Sequence, residues 1–280
     1  MNLTSPSQVK AWCIENGFHP NKVLGQNFLI DRNALVSIVE AGLDIADKSV
    51  RVPKVLEIGP GLGVLTEEML NRGVHVTAIE KDPVLAERLK ASLGNPAGLE
   101  VISGDALDIL HLSTSTWLNQ IDCMVSNLPY QAGTRILLDL VQQHTLPKMT
   151  VLVQTEVAER LAAKEGGKTR GLAGVWAQLD YDVKIVRKVA ASCFWPRPEI
   201  GSSVVTLTKR AAVKGLTALP DLTPEERKMF YRITKQAFEH RRKQLGSIFK
   251  GVIDSTMRAE ELTNDEWVAL AKGLVQNADA

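Results

Sequence analysis

The sequence predicts a doubly wound α/β domain followed by a small all-helical one, and three observations carry that expectation. Short apolar, β-branched runs alternate with helix-period stretches between about Lys54 and Leu207. A glycine-rich turn sits between the first of those runs and the helical stretch after it. Beyond a stretch without periodicity, KRAAVKGLTALPDL, only helical patterns remain up to Ala280.

In chain order, two helical stretches come first, roughly Pro6 to Asn16 and Arg32 to Gly42, joined by HPNKVLGQNFLID. The runs VLEIG, VHVTAIE, LEVISGDA, DCMVSN, MTVLVQ, DVKIVRKV and SSVVTLT then read as strands. Most are apolar on both faces, as expected for a sheet covered on both sides. Between them VLTEEMLNRG, PVLAERLKASLG, GTRILLDLVQQH and EVAERLAAK read as helices. Asp82-Pro83 marks a helix start, with proline at the first helical position. Strand and helix in alternation predict a doubly wound sheet. The aperiodic stretch reads as a linker, and Thr223-Pro224-Glu225-Glu226 starts the next helix. These signals divide the chain into residues 1–209 and 210–280.

Composition bounds the function. Hydrophobic residues make up 45% of 280, enough for a real core. No apolar run approaches the ~18 residues of a membrane helix. The N-terminus lacks the pattern of a secretory signal. Cys13, Cys123 and Cys193 are scattered and odd in number, which argues against a disulfide framework and a zinc site. A reducing compartment, the cytoplasm, is expected. A net charge of +1 argues against a strongly basic chain. Locally, between Glu225 and Lys250, eight basic residues stand against three acidic ones. A charge run by itself is most simply a solvated helix face.

VLEIGPGLGVLTEEML places Gly59, Gly61 and Gly63 where a tight turn lets backbone approach a ligand. The spacing is G-x-G-x-G, not the G-x-G-x-x-G of dinucleotide-binding folds. Glu57, two residues before the turn, favours a cationic ligand over a pyrophosphate. S-adenosylmethionine carries a sulfonium and an ammonium and fits that preference. Glu80 closes the next strand, where a carboxylate can accept from both ribose hydroxyls, and Asp105 closes the third, where one can accept from an adenine amino group. The fourth strand ends in Asn127-Leu128-Pro129-Tyr130. An exocyclic amine on a nucleobase is a poor nucleophile because its lone pair is delocalised. It needs acceptors for its hydrogens: the Asn127 amide oxygen and a nearby carbonyl in a turn that Pro129 fixes. Tyr130 offers a face on which a flipped-out base stacks. No metal is required.

With these residues in view, the chain resembles the ribosomal RNA adenine dimethyltransferase family. The resemblance rests on LGQNFLID (Leu24 to Asp31), EIGPGLGVLT (Glu57 to Thr66), GDAL (Gly104 to Leu107) and NLPY. It continues through QTEVAERLAAK, FWPRPEIGSSVVTL and AFEHRRKQL. The resemblance implies dimethylation at N6 of two adjacent adenines near the 3′ end of small-subunit rRNA, within an immature small ribosomal subunit and by a monomer. It implies Asn27 and Leu29 in a segment closing over S-adenosylmethionine, and Gly59, Glu80, Asp105 and Asn127 as further cofactor contacts. Phe194 is implied as a ring that sandwiches the target base, and beside Trp195, Pro196 and Pro198 it reads as part of an exposed aromatic pair. Arg241, Arg242 and Lys243 are implied as phosphate contacts in the helical domain. The sequence departs from the family at Gln131-Ala132-Gly133, directly after NLPY, and at Trp195, where a tyrosine is usual. Three rivals are weighed against this reading. Leu128 disfavours a large-subunit rRNA methyltransferase, the intact Asn127 and acids disfavour a non-catalytic assembly factor, and the glycine spacing disfavours an NAD-dependent oxidoreductase.

Overall fold

A computed structural model of the chain describes residues 1–21, 24–44, 51–112, 117–210 and 220–278. Most of the expected linker, residues 211–219, lies outside the described residues. The elements run α1 (Pro6–Glu15), β1 (Phe28–Leu29), α2 (Arg32–Leu43), β2 (Lys54–Ile58), α3 (Val64–Asn71), β3 (His75–Glu80) and α4 (Pro83–Ser92). Next come β4 (Leu99–Ser103), α5 (Ala106–Leu112), β5 (Cys123–Asn127), α6 (Gly133–Gln143), β6 (Lys148–Gln154), α7 (Thr155–Leu161) and α8 (Leu172–Asp180). The chain closes with β7 (Tyr181–Val189), β8 (Phe194–Trp195), β9 (Ser202–Lys209), α9 (Pro224–Glu239), α10 (Leu245–Ile248) and α11 (Asn264–Ala278). No described helix is long and apolar enough to cross a membrane.

Two compact units result: residues 1–158 with 184–208, and residues 159–183 with 209–280. In the first, the sheet order is β4-β3-β2-β5-β6-β9-β7. Strands β4, β3, β2, β5 and β6 pair in parallel, and β9 joins β6 antiparallel. This is the doubly wound sheet the alternation predicts. Strand order reverses between β2 and β5, the place where open α/β sheets form a ligand crevice. Val55, Leu56, Cys123, Met124, Val125, Met149, Val151 and Leu152 show no exposed surface, so neither face of the central strands meets solvent along these residues. Helix α2 lies close on β5: a methyl added at Gly42 would overlap the Val125 side chain. Asp82 caps α4 by accepting from the Val84 and Leu85 nitrogens, so the Asp-Pro signal marks a helix start as read.

The second unit packs Val175, Leu179, Phe230, Ile233, Ala237, Leu245, Leu262 and Trp267 into one apolar cluster. Thr223 and Glu226 close the start of α9 with a reciprocal capping box. Within this unit Asp180, almost fully buried, accepts two hydrogen bonds from Arg227 at 2.6 and 3.1 Å. The sequence reading draws a single cut after Lys209. By packing, 159–183 also belongs with the helical unit, because Val175 and Leu179 of α8 bury their side chains in its cluster.

Gly42→Ala should lower unfolding stability by about 1–3 kcal/mol, the usual cost of forcing a methyl into a filled space. Adding Val125→Ala should recover part of that loss. Urea denaturation of the two single variants and the double checks this, and strictly additive losses would refute the close α2–β5 contact.

Candidate active site

A cavity of about 310 Å³ opens at the C-terminal ends of the strands in the first unit, large enough for a small ligand. Its lining includes Gly59, Gly61, Glu57, Glu80, Asp105, Asn127, Pro129, Tyr130, Asn27 and Leu29. Ten residues singled out from the sequence therefore meet in one place. The glycine turn takes left-handed conformations at Gly59, Gly61 and Gly63, with φ of +68°, +59° and +92°. Side chains there would be strained as well as intrusive, since a Cβ on Gly61 would lie 3.1 Å from the Phe28 ring.

Glu80 ties this turn to the next strand. Its Oε2 accepts the Gly61 backbone N–H at 3.0 Å, and its Oε1 accepts that of Asp82 at 2.9 Å. Burial pushes its pKa up, and the two N–H groups oppose that by favouring the anion. Each carboxylate oxygen retains a further lone pair for a ligand hydroxyl. Asp105 is oriented as firmly. Its Oδ1 accepts from the Leu107 nitrogen at 2.9 Å, and its Oδ2 pairs with Lys81 Nζ at 2.7 Å. Lys81 is the main cause that holds this carboxyl below the ordinary aspartate range.

Glu57 departs from expectation. It is 1% exposed, and its carboxyl accepts from the Thr66 hydroxyl at 2.6 Å. Burial pushes its pKa up to about 8; the Thr66 bond works against that, and nearby Glu80 adds to it. Near neutral pH the carboxyl holds its proton, so it is not the standing negative charge the sequence suggests. A cation placed beside it would favour its ionisation.

On the opposite wall, Asn127 ends β5 and donates from Nδ2 to the Asn27 carbonyl at 3.1 Å. That bond turns the nitrogen away and leaves Oδ1 as an acceptor. The Pro129 carbonyl is taken by the Gly133 N–H at 2.7 Å. The Tyr130 hydroxyl shares a 2.6 Å hydrogen bond with the buried Ser202 Oγ, which fixes the ring.

Residues Leu24 to Leu29 form a strap over this wall. Gln26 Nε2 donates to Asp82 Oδ2 at 2.9 Å, and Asn27 Nδ2 donates to the Gly25 carbonyl at 3.1 Å. The strap then becomes β1, which pairs antiparallel with β8: Phe28 opposite Trp195 and Leu29 opposite Phe194. Phe28 and Trp195 stack with centroids 6.5 Å apart. Phe194 is 2% exposed and belongs to the core cluster with Leu29, Val189 and Val204. The expected exposed pair is therefore corrected: Phe194 does not line the cavity, because strand pairing turns it inward.

Sequence reasoning missed Gln26, Lys81 and Ser202, and also Arg135, which lines the cavity and helps hold the Asp105 carboxyl low. Gln26 and Ser202 lie inside the quoted family stretches, but nothing in their spacing shows which side chain they hold. Lys81 adjoins Glu80 and Arg135 lies two residues after Gly133, each without a motif of its own.

In the second unit, Arg241 donates to the Lys168 carbonyl at 2.7 Å and sits 3.6 Å from Glu260. Its side chain remains 40% exposed beside these contacts. Arg242 and Lys243 are exposed.

With this geometry in place the comparisons decide the family. The model described as ribosomal RNA adenine dimethylase matches residues 17–274. The chain belongs to that family. A relative from Chlamydia felis, named ribosomal RNA small subunit methyltransferase A, is 34% identical over 302 residues, covering 99% of this chain and 98% of the relative. One of the same name from Deinococcus radiodurans is 44% identical over 211 residues, covering 73% and 67%. Two solved structures share the fold. A dimethyladenosine transferase from Plasmodium falciparum aligns with a TM-score of 0.70 at 20% identity, covering 89% of this chain and 98% of that one. The 23S rRNA methyltransferase ErmE aligns at 0.62 and 23% identity, covering 89% and 100%.

Glu57 supplies a pH test. Folded, it keeps its proton up to about pH 8; unfolded, it releases it near the ordinary value of 4.5. Between these values the unfolded state binds fewer protons, so the Glu57 contribution to stability falls as pH rises. Glu57→Gln cannot titrate. Its melting temperature relative to the native protein should therefore rise from about pH 5 to about pH 8. A constant difference across that range would contradict the raised pKa.

Proposed function

We infer that this chain transfers methyl groups from S-adenosylmethionine to N6 of adenines in small-subunit ribosomal RNA; its relatives are named ribosomal RNA small subunit methyltransferase A and its family ribosomal RNA adenine dimethylase. The family resemblance extends that to two adjacent adenines near the 3′ end. The observation that carries the reading is the Asn127 amide, turned by the Asn27 carbonyl so that its oxygen is left to accept. It stands in a cavity whose other wall is a glycine cradle with two anchored carboxylates.

The residues present fit S-adenosylmethionine. The left-handed glycine turn brings the Gly59 and Gly61 backbone to the cavity in a conformation that other residues rarely adopt, Glu80 has lone pairs for two ribose hydroxyls, and ionised Asp105 can accept from an adenine amino group. Asn27 and Leu29 close the strap over it. When bound, S-adenosylmethionine supplies a methyl group activated by the sulfonium. What this chain's own residues do is position the acceptor. Asn127 Oδ1 accepts one hydrogen of the adenine amine. A backbone carbonyl of the Leu128-Pro129 turn, which lines the same cavity, is assigned to the other hydrogen. Holding both hydrogens localises the nitrogen lone pair, and most of the rate enhancement comes from orientation and hydrogen bonding. Tyr130, fixed by Ser202, offers its ring to the flipped base.

Phe194 supports this wall from the core by pairing β8 with β1, and stacking falls to Tyr130. Arg242 and Lys243 contact RNA phosphates in the helical unit, which positions without reading sequence. We assign the activity to the cytoplasm, to a monomer, and to an immature small subunit as the form in which the RNA is met.

The test is incubation with labelled S-adenosylmethionine and small subunits lacking the modification. Label should appear in two neighbouring adenines. Asn127→Ala should lower the rate by about 10²-fold or more, in the range known for removing one preorganised polar group. Label confined to other RNA, or a rate insensitive to Asn127→Ala, would overturn the reading.

A further inference from the structure

Gln26 has no chemical role in the account above, yet the strap is fastened through it. Its Nε2 donates to Asp82 Oδ2 at 2.9 Å, and its Oε1 accepts the Asn21 backbone N–H at 2.7 Å. Asp82 uses its other oxygen to cap α4, accepting from the Val84 and Leu85 nitrogens at 3.0 and 3.3 Å. The neighbours of Gln26 reach the acceptor wall. Gly25, at φ +66°, passes so close that a Cβ on it would sit 3.1 Å from the Tyr130 nitrogen. The Asn27 carbonyl takes Asn127 Nδ2 at 3.1 Å. Three consecutive residues thus join the turn after β3 to the amide that ends β5 and the turn that follows it.

An asparagine amide can present either its oxygen or its nitrogen to a cavity with little difference in shape. What decides is the partner on its far side. A carbonyl only accepts, so the Asn27 carbonyl requires the nitrogen and gives the cavity the oxygen. Displacing that carbonyl by about 1 Å would break a 3.1 Å bond and free the amide to turn, and errors of that size in a reacting geometry cost rate heavily. We propose that Gln26 is a positioning residue for methyl transfer: by fastening the strap to Asp82 it sets the Asn27 carbonyl, and that carbonyl fixes the catalytic orientation of Asn127. The inference rests on the methyl-transfer reading above and names the side chain that prepares that site.

A role limited to holding the strap would alter stability and cofactor affinity but leave the rate at saturating cofactor unchanged. A positioning role lowers that rate as well. Gln26→Glu keeps an oxygen for the Asn21 N–H and sets a carboxylate against Asp82. Asp82→Asn keeps an oxygen to cap α4, since asparagine is as good a cap as aspartate. It also turns a donor toward position 26. The double variant Q26E/D82N therefore rebuilds the fastening with donor and acceptor exchanged.

Wild type, Q26E, D82N and Q26E/D82N are compared for S-adenosylhomocysteine affinity and for kcat on undermethylated small subunits at saturating cofactor, with melting curves to establish folding. Q26E should weaken affinity and lower kcat, each by about tenfold, the loss expected when a hydrogen bond to a charged group becomes a like-charge contact. The double variant should return to within about threefold of wild type in both, as a rebuilt bond of the same kind would allow. An undiminished kcat in Q26E, or a double variant no better than Q26E, overturns the inference. A wild type that binds S-adenosylhomocysteine without methylating small subunits sinks the methyl-transfer reading instead. The strap is then still judged by affinity, where the absence of a Q26E defect or of its rescue overturns it.

Discussion

Glu80, with one oxygen on the Gly61 N–H and the other on the Asp82 N–H, is the constraint from which the rest of the site follows. The glycine turn after β2 and the turn after β3 leave strands that pair in parallel, and the Gly59 N–H reaches the Ile79 carbonyl at 2.9 Å; Glu80 is the side chain that adds a tie between the turns themselves. Once Glu80 joins them, Asp82 stands where it can cap α4 and receive Gln26. Gln26 carries the strap, the strap carries the Asn27 carbonyl, and that carbonyl turns Asn127. A cofactor wall and an acceptor wall on different strands are linked in this way through hydrogen bonds that each have one donor and one acceptor.

That arrangement is costly to the fold. Glu57 and Glu80 are both buried, and burial raises the pKa of each. Backbone N–H groups compensate Glu80, whereas Glu57 has the Thr66 hydroxyl and keeps its proton. The same desolvation strengthens any hydrogen bond made to a ligand in the cavity. Polar groups that weaken the empty protein are thus the ones with most to gain when a partner arrives, a pattern common at functional sites.

Much of this was legible in the sequence because it depends on local order. Strand ends, a glycine turn and an Asn-Leu-Pro-Tyr turn announce themselves by spacing, and parallel winding brings successive strand ends to one edge. What the sequence hid depends on contacts made across the fold. β1 and β8 have two residues each, too few to show a period, so the pairing that buries Phe194 was invisible. The proline-flanked Phe194-Trp195 pair therefore read as exposed. Arg241 looked like its neighbours, but its partners are Lys168 and Glu260, and a charge run does not show which cation folds back. Helix α8 likewise shows its apolar period without showing which cluster it joins.

The most direct measurement is a calorimetric titration of S-adenosylhomocysteine into wild type and Glu80→Gln. Glutamine can accept only one of the two N–H groups, and it offers an amide nitrogen to the other and to a ribose hydroxyl. If Glu80 organises the cofactor wall, the Kd should weaken by about ten- to a hundredfold, the loss expected for hydrogen bonds to a charged group. A Kd unchanged from wild type would contradict the account at its base.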